Sequence, residues 1–399
     1  VETNVRGREL KVLEREDAIP GTDLVLSLDV AVQRAAWDAL GDRPGSVVAI
    51  DPVDGSVIAL VSKPAYDPNA FVGGISQKAY NDILNAPGRP LFNRALNGAY
   101  EPGSTLKPFV GLAGLELELV TPETRVFSNG KFYIEGYDRP YRDWKDGGHG
   151  WVDMHGALEQ SVNTYFYQLA MDMGIDRMHD YLSQFGFGSA TGIDVPGEGK
   201  GLLPSRQWKR AVHDLPWYPG ETVIAGIGQG FNVVTPLQLA NAVTTLVNGG
   251  TRFSPRLLYA AKPAGVERAK RIQAPVAFEV PIRDQQDWQV ILDGMDSVVN
   301  GTRGTARRIA VDANYRMGGK SGTAQVYQLA ANKADNPTEV AEHLRDHAWF
   351  VAFAPVDAPR IAIAVVVEHG GGGSTAAAPD ARATLDVWLD QELERESQP

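Results

Sequence analysis

The chain has 399 residues, 43% of them hydrophobic and 22% charged, a composition that predicts a globular protein with one large core and an appendage. The absence of cysteine excludes disulfides, thiolate zinc sites and a cysteine nucleophile, and a net charge of −11 without a cluster of Lys and Arg argues against nucleic acid as a partner. The sequence contains no run of about 18 apolar residues and therefore predicts no membrane span. The chain starts at Val1 rather than Met, so we expect an excised fragment whose missing N-terminus could have carried an anchor.

The beginning of the chain is predicted to contribute an arm, a helix and a β-hairpin. Residues 1–20 are polar and short of core material, which is typical of an arm or the tail of a removed domain. The patterns that follow predict a short strand at Leu24–Ser27, a helix capped by Asp29 that ends near Leu40, and a hairpin of Ser46–Ile50 and Ser56–Val61.

The middle of the chain is predicted to be mainly helical, after a loop-rich segment at 63–103. The predicted helices run from Ser104 to about Leu119, from Met154 to Met173, from Pro236 to Val247 and from Asp284 to Asn300. Thr235 and Pro236 are typical of a helix N-cap and of the first helical position. A polar segment rich in aromatic residues, 121–160, separates the first helix from most of the second.

The last third of the chain supplies strands. They are predicted at Tyr315–Val326, Trp349–Ala354 and Arg360–Val367, before a final helix at about 379–394. Because strands come first and last and helices lie between them, we expect an α+β fold, in which one antiparallel sheet drawn from both chain ends is flanked by helices. Segment 331–344, rich in Asn, Lys, Asp and Glu, is predicted to be a mobile loop.

Ser104 and Lys107 form the first pattern with a chemical meaning. A Pro-Gly turn delivers Ser104 to the start of an apolar helix, and residues three apart share a helix face, so its hydroxyl and the Lys107 amine can meet at hydrogen-bond distance. A lysine kept neutral by burial and by a second cation can take the serine proton. About one Ser-x-x-Lys is expected by chance in a chain of this length, and alone it is more typical of a capped surface helix.

Two later patterns add the other groups that acyl transfer needs. Ser161-x-Asn163 offers a hydroxyl relay and an amide, and Lys320-Ser321-Gly322-Thr323 offers a cation, two hydroxyls and a glycine on a predicted strand. With these three patterns in this order, the chain resembles the penicilloyl-serine transferases, the group of the penicillin-binding proteins and serine β-lactamases.

Longer runs narrow the resemblance. They are Asn93–Ala95, Tyr100–Pro108, Tyr141–Trp144, Gly148–Gly150, Tyr165–Tyr167, Gly228–Gly230, Thr235–Gln238 and Lys320–Val326. Through them the chain is similar, from Val1 to about residue 393, to the elongation-type class B penicillin-binding proteins, the penicillin-binding protein 2 family. This implies a β-lactamase/transpeptidase-like fold with an all-helical subdomain, a remnant of a non-catalytic pedestal domain or linker at 1–20, and a penicillin-binding transpeptidase domain at 21–395.

The family also implies an activity and a place in the cell. It implies a serine-type D,D-transpeptidase that crosslinks peptidoglycan stem pentapeptides ending in D-Ala-D-Ala during cell-wall elongation and rod-shape maintenance, and that β-lactams inhibit covalently. It implies no cofactor. The full-length protein would be anchored at the periplasmic face of the bacterial inner membrane and would work with a lipid-II polymerase of the shape, elongation, division and sporulation type.

Position by position, the resemblance gives catalytic roles to five residues. Ser104 would attack the penultimate D-Ala carbonyl, with Lys107 as general base. Ser161 would pass a proton to the leaving amine, bridging Lys107 and Lys320. Asn163 would hold the substrate amide and position Lys107.

The third pattern would bind the substrate's terminal carboxylate through Lys320, Ser321 and Thr323. Gly322 would leave room for the substrate to lie along the strand as an added β-strand. The oxyanion would sit between the backbone N–H groups of Ser104 and Thr323.

Asp143 and His149 are weak candidates for a metal site. Polar residues that order a loop beside the active site are the more common explanation of such a pair. Some relatives are thought to hold zinc here through two Asp, a His and a Cys, but Val162 stands at the cysteine position and the first Asp is replaced near Ser128. We therefore predict no tightly bound zinc.

Gly226–Gly230 could be mistaken for a nucleotide-binding loop. The following helix begins only near Thr235, and no strand-loop-helix unit surrounds the glycines, so a tight turn that shapes the floor of the cleft is the favoured interpretation.

Three other functions of the same fold stay open. A serine β-lactamase needs a deacylating base, and the sequence has no recognisable Glu-x-x-x-Asn element of the class A kind. A DD-carboxypeptidase uses the same acylation with water as acceptor, so only an acceptor-amine assay separates it from a transpeptidase. A penicillin-sensing or scaffold module is disfavoured because every catalytic position is intact, and such a module would form no crosslink.

Overall fold

The computed structural model describes residues 2–11, 18–325 and 344–397. Its α-helices are α1 (Val30–Leu40), α2 (Gln77–Leu84), α3 (Arg94–Asn97), α4 (Lys107–Glu116), α5 (Met154–Glu159), α6 (Asn163–Met173), α7 (Ile175–Gln184), α8 (Arg206–His213), α9 (Pro219–Ala225), α10 (Pro236–Val247), α11 (Gln285–Asn300), α12 (Gly373–Ala376) and α13 (Ala378–Ser397). Short 3₁₀ turns lie at Pro68–Phe71, Gly103–Leu106 and Arg307–Ala310.

The strands are short except in the central sheet. They are β1 (Glu2–Thr3), β2 (Glu9–Lys11), β3 (Asp23–Leu26), β4 (Gly45–Ile50), β5 (Val57–Lys63), β6 (Val126–Ser128), β7 (Lys131–Phe132), β8 (Tyr141–Arg142), β9 (Gly150–Val152), β10 (Thr251–Phe253), β11 (Leu258–Lys262), β12 (Lys270–Arg271), β13 (Val276–Glu279), β14 (Gly318–Ala324), β15 (His347–Ala354) and β16 (Ile361–Val367).

A five-stranded antiparallel sheet in the order β14-β15-β16-β4-β5 organises the molecule. Its strands come from both ends of the chain, which confirms the predicted α+β architecture. β14 lies at one edge, and the predicted hairpin of β4 and β5 lies at the other. The edge position matters for function because one side of β14 is open to an added strand or to a neighbouring turn.

Each face of the sheet has its own apolar core, because the strand side chains alternate between the faces. On one face, α1 and α13 pack on residues such as Val47 and Phe350. On the other, Val48 and Val351 join the core of α4, α6 and α10. The predicted helical subdomain corresponds to α4–α10, with the short β6–β9 and β7–β8 ribbons inserted in it.

Local sequence signals explain several helix boundaries. The Asp29 carboxylate accepts hydrogen bonds from the backbone of Ala31 and Val32 at the start of α1, whose buried stripe is Val32, Ala36 and Leu40, as predicted. Thr235 caps α10 and Asp284 caps α11 in the same way.

Two predicted helices are divided in the structure, and both divisions lie at residues of the sequence patterns described above. The predicted helix from Ser104 begins as a 3₁₀ turn and becomes α-helical only at Lys107. The predicted helix Met154–Met173 breaks into α5 and α6, because Ser161 adopts a left-handed conformation with φ 57°. Most of the predicted mobile loop, 331–343, lies outside the described residues, as does Val326 at the end of its predicted strand.

Candidate active site

Ser104 lies on a turn that is packed against the edge strand of the sheet. We call residues 101–106 the nucleophile turn. Ser104 is partly exposed, whereas its neighbours Gly103 and Thr105 are buried. Pro108 takes the second position of α4, where its missing N–H costs no helical hydrogen bond. The turn therefore leaves Ser104 partly exposed between two buried neighbours.

Gly103 and Gly228 allow the nucleophile turn to approach β14 on one side and the 226–230 turn on the other at backbone distance. A Cβ atom on Gly103 would lie 2.5 Å from the Thr323 carbonyl oxygen, and one on Gly228 would lie 2.2 Å from the Gly103 carbonyl oxygen. The Gly103 N–H donates to the Gly228 carbonyl at 2.8 Å. These contacts place Ser104 next to Thr323, and they identify the 226–230 turn as the support of the nucleophile turn.

The structure shows a packing reason for the missing side chain of Gly322. A Cβ at this position would lie 2.8 Å from the Pro102 carbonyl oxygen and 2.8 Å from the Thr105 methyl group. The missing side chain thus makes room for the nucleophile turn, and the prediction that it makes room for a bound substrate remains untested.

The opposite side of the site is the Ser161 corner, residues 160–163, where α5 stops and α6 starts. Its backbone carbonyls point at donors: the Ser161 carbonyl accepts from Lys107 Nζ at 2.8 Å and from Trp144 Nε1 at 3.2 Å. The left-handed backbone of Ser161 is uncommon for a non-glycine residue. This conformation directs both the carbonyl and the hydroxyl of Ser161 to the site.

Two buried lysines meet at the hydroxyl of Ser161. Lys107 Nζ lies 3.3 Å from Ser161 Oγ and 2.6 Å from Asn163 Oδ1. Lys320 Nζ lies 2.8 Å from Ser161 Oγ and 3.1 Å from the Ser321 carbonyl oxygen. Both lysines are 0% exposed. The structure therefore brings Lys107, Ser161, Asn163 and Lys320 together, as predicted.

The pKa values of both lysines are lowered, and burial is the largest cause for each. Burial lowers the pKa of Lys107 from 10.5 to about 7, and the negative charge of Asp143 opposes this shift. Burial also lowers the pKa of Lys320 well below its ordinary value, and the charge of Lys107 lowers it further. The two amines repel each other when both are charged, so the predicted effect of one cation on the other adds to the effect of burial.

In its neutral form Lys107 is equipped to take a proton from a hydroxyl. A neutral amine has two N–H donors, which suit the Ser161 carbonyl and Asn163 Oδ1, and one lone pair that remains for a hydroxyl. The hydroxyl bonded to Lys107 in the structure is that of Ser161. The hydrogen bond between Lys107 and Ser104 that the structure shows runs from the Lys107 backbone N–H to the Ser104 carbonyl, and the side-chain pairing stays a prediction.

Asp143 and His149 lie in a hydrogen-bonded network beside the Ser161 corner. The Asp143 carboxylate accepts from the backbone N–H groups of Trp144 at 2.8 Å and Thr164 at 2.9 Å, and lies 3.3 Å from His149 Nε2. Burial raises the pKa of Asp143, but the hydrogen bonds with His149 and the Thr164 N–H and the nearby Lys107 together hold it below its ordinary value. The carboxylate is therefore an anion beside Lys107.

This network is the place where the weak metal candidates would act. Ser128 Oγ accepts from Thr164 Oγ1 at 2.7 Å, and Val162 is buried in the apolar core. Within residues 2–11, 18–325 and 344–397, no three His, Cys, Asp or Glu side chains form a group that could hold a metal ion. The prediction of no tightly bound zinc remains a prediction.

Two residues near the site were not predicted from the sequence to be functional. Trp144 reaches the Ser161 corner through its indole N–H, and it stands in the Tyr141–Trp144 run that supported the resemblance. Thr305 Oγ1 lies 3.0 Å from Ser321 Oγ, which places a third hydroxyl beside the two of the third pattern. No local sequence signal marks Thr305, because it reaches the site through the fold of the segment after α11.

Comparison with known proteins identifies the family. The family described as "Penicillin binding protein transpeptidase domain" matches residues 45–386, from the start of β4 into the first half of α13. The chain belongs to this penicillin-binding protein transpeptidase family. Membership agrees with the convergence of the three patterns at one site, and it confirms the predicted resemblance.

Individual members of the family are similar over nearly the whole chain. The peptidoglycan D,D-transpeptidase MrdA of Haemophilus influenzae is 42% identical over 394 residues, which is 98% of this chain and 60% of the relative. The crystal structure of Pseudomonas aeruginosa PBP2 in complex with WCK 5153 has a TM-score of 0.82 and 46% identity, over 93% of this chain and 79% of that one. A chain from a peptidoglycan synthase complex that coordinates polymerization and crosslinking has a TM-score of 0.80 and 33% identity, over 96% of this chain and 66% of that one.

The chain spans about 60% of the length of the curated MrdA relatives. Among its helices in residues 2–11, 18–325 and 344–397, none combines the length and apolar character that a membrane crossing requires.

Proposed function

We propose that this protein is a peptidoglycan D,D-transpeptidase that works through a serine acyl-enzyme, and that β-lactams inhibit it covalently. The observation that carries the proposal is the meeting of Lys107 and Lys320, both fully buried, at the Ser161 hydroxyl beside a nucleophile turn packed on an edge strand. The name of the Haemophilus influenzae relative supports the choice of peptidoglycan as substrate.

Acylation follows from the chemistry of these groups. Ser104 Oγ attacks the penultimate D-Ala carbonyl while its proton passes to neutral Lys107, whose pKa of about 7 makes it a usable base at neutral pH. As the C–N bond breaks, Ser161 gives a proton to the leaving amine and is reprotonated from the lysines that it bridges. The products of this step are a Ser104 ester and free D-Ala, and an amine of a second stem peptide then attacks the ester.

Substrate binding would use β14 and the nucleophile turn together. The terminal carboxylate binds at Lys320 and at the hydroxyls of Ser321 and Thr323, and Asn163 holds the substrate amide. The developing oxyanion lies between the backbone N–H groups of Ser104 and Thr323, each worth about 3 kcal/mol of transition-state stabilisation. The backbone contact of Gly103 with Thr323 supports this pairing, because it holds the two donors close together.

In the cell the enzyme would crosslink stem pentapeptides ending in D-Ala-D-Ala during elongation, at the periplasmic face of the inner membrane. The similar chain in a complex that couples polymerization with crosslinking supports a lipid-II polymerase as partner. Residues 1–20 would be the remnant of a non-catalytic domain or linker, and 21–395 the transpeptidase domain.

The test is covalent labelling by a fluorescent penicillin, followed by intact-protein and peptide mass spectrometry. We expect one stable adduct on the Ser104 peptide and none in Ser104→Ala. Ser183→Ala, which changes an exposed serine at the end of α7, is the matched control and should label normally. Undiminished labelling of Ser104→Ala would refute the assignment of the nucleophile.

An acceptor-amine assay distinguishes transpeptidation from the other reactions that this fold catalyses. With a pentapeptide donor and an added amine acceptor, we expect a new peptide bond to the acceptor. Release of D-Ala with water as sole acceptor would identify a carboxypeptidase, and sustained turnover of penicillin would identify a β-lactamase.

A further inference from the structure

Thr305 belongs to the carboxylate-binding side of the site, although it lies outside all three patterns. Its Oγ1 is 3.0 Å from Ser321 Oγ, and both residues are partly exposed. Along β14, side chains alternate between the faces of the sheet, so Ser321 and Thr323 share one face while Lys320 projects from the other. Thr305 therefore joins the face that carries the two hydroxyls.

The segment that carries Thr305 is fixed by its backbone on both sides. The Ala306 N–H donates to the Val298 carbonyl at 3.0 Å, and a Cβ on Gly304 would lie 2.4 Å from that carbonyl oxygen. The Arg303 N–H donates to Glu159 Oε1 at 2.9 Å, and the Arg303 guanidinium pairs with the same carboxylate. Since these contacts hold the backbone, the Thr305 hydroxyl has a defined position.

Glu159 connects this segment to the Ser161 corner. It is 4% exposed and is the last residue of α5, two positions before Ser161. One buried carboxylate thus anchors the segment that carries Thr305 and lies in the helix that ends next to Ser161.

The hydroxyl chemistry determines what Thr305 can do. A hydroxyl has one donor hydrogen, and a carboxylate only accepts, so Ser321 must donate its hydrogen to a bound carboxylate. Its oxygen is then free to accept from the Thr305 hydroxyl. Such a chain of donors strengthens each bond in it and removes the alternative in which Ser321 donates to Thr305.

We propose that Thr305 is a positioning residue for recognition of the substrate carboxylate, which aims the Ser321 hydroxyl by donating a hydrogen bond to its oxygen. This inference rests on the proposed acylation of Ser104 by a carboxylate-bearing donor. It adds to that function a residue that contributes to ligand selection and takes no part in proton transfer.

The test combines a protein variant with a ligand variant. The second-order rate constant of Ser104 acylation is measured by intact-protein mass spectrometry with benzylpenicillin and with its methyl ester, which lacks the carboxylate charge. For Thr305→Val we expect about a tenfold loss with benzylpenicillin, the worth of a hydrogen bond in a charged network, and less than a twofold change with the ester. Thr305→Ser keeps the hydroxyl and should stay within twofold of the wild type with both ligands.

A second comparison separates the positioning of Ser321 from a structural role of Thr305. In a Ser321→Ala background Thr305 has no hydroxyl to aim, so adding Thr305→Val should cause no further loss with benzylpenicillin. Equal losses with both ligands, or full additivity of the two substitutions, would show a structural role and overturn the proposal. Absence of any adduct on wild-type Ser104 would instead refute the proposed function itself.

Discussion

The nucleophile turn and the Ser161 corner lie on either side of the same buried lysines, yet different contacts hold them. Backbone packing through Gly103, Gly228 and Gly322 holds the nucleophile turn, with interatomic spaces too small for a methyl group. The Ser161 corner is held by hydrogen bonds from Lys107, Lys320 and Trp144. The nucleophile turn is positioned by glycines that lack a side chain, and the Ser161 corner is positioned by hydrogen bonds that it accepts.

This difference predicts different responses to mutation. A close-packed backbone cannot relax around an added atom, so substitutions in the nucleophile turn should misplace Ser104 outright. A corner held by hydrogen bonds can lose one of them and keep its shape, so substitutions there should change proton transfer more than geometry.

The largest effect is expected for Gly228→Ala. The added methyl would lie 2.2 Å from the Gly103 carbonyl oxygen, and Gly228 has a φ of 72°, which an L-residue adopts at a cost. A displacement of about 1 Å at the nucleophile costs on the order of 100-fold in rate, so labelling by a fluorescent penicillin should fall by about that factor or more.

Gly265→Ala is the matched control for this variant. Gly265 has a φ of 80° in an exposed turn with nothing within 4 Å of an added Cβ, so it carries the backbone strain without the collision. We expect lower thermal stability and unchanged labelling. Similar labelling of Gly228→Ala and the wild type would refute the view that glycine packing sets the position of Ser104.

The next effect is expected at the Ser161 corner, for Ser161→Ala. The substitution removes the oxygen that both lysines contact and with it the relay, which should lower the acylation rate by about 100-fold at most, while the protein stays folded. Ser161→Gly is the companion variant, because glycine accepts the φ of 57° without strain. Equal losses in both variants assign the effect to the hydroxyl, whereas recovery in Ser161→Gly would assign it to the backbone.

The Ser161 corner also marks where sequence patterns stop predicting structure. The stripe of Val32, Ala36 and Leu40 and the cap at Asp29 specified α1 fully, because the local pattern matched its burial on the sheet. No such pattern announces the break at Ser161, since residues 154–173 have continuous helical character. The left-handed residue is imposed by contacts of its carbonyl with Lys107 and Trp144, which are 54 and 17 positions away.

For the site, the predictable part was the set of reactive groups. Lys107, Ser161, Asn163 and Lys320 meet as the three patterns implied. The role of Gly322 as a contact of the nucleophile turn was not predictable, and neither was the contribution of Thr305. Both depend on which backbone segments approach β14, and spacing along the chain does not encode that.

A third prediction concerns the pH dependence of acylation. Lys107 must be neutral to accept the Ser104 proton, and burial lowers its pKa to about 7, so the rate constant should rise about tenfold per pH unit below 7 and level off above. Stopped-flow acylation by a chromogenic β-lactam between pH 5 and 9 measures this profile. A midpoint near 10 would mean that the buried lysine stays charged at neutral pH.

Glu101 requires a control, because its pKa is also close to 7. Burial raises it to about 7, against the hydrogen bond from the Gly230 N–H. Glu101→Gln removes this titration and should leave the midpoint of the acylation profile in place. Loss of the pH dependence in that variant would assign the profile to the nucleophile turn instead of Lys107.

The smallest effect is expected for Trp144→Phe. The indole N–H donates to the carbonyls of Gln160 and Ser161, but the Ser161 carbonyl keeps its second donor, Lys107, so the corner should hold its shape. Loss of one shared hydrogen bond is worth about 1 kcal/mol, which corresponds to roughly a fivefold slower acylation.

Trp151→Phe is the comparison for this variant, because Trp151 is 66% exposed in the neighbouring β9 and packs on Phe127. It should acylate at the wild-type rate. A loss for Trp144→Phe as large as that for Gly228→Ala would mean that the corner is as intolerant as the nucleophile turn, and the two sides of the site would not differ in how they are held. A modest loss that is absent at Trp151 would show that hydrogen bonds hold the corner redundantly, so that it can rearrange during proton transfer while Ser104 stays fixed.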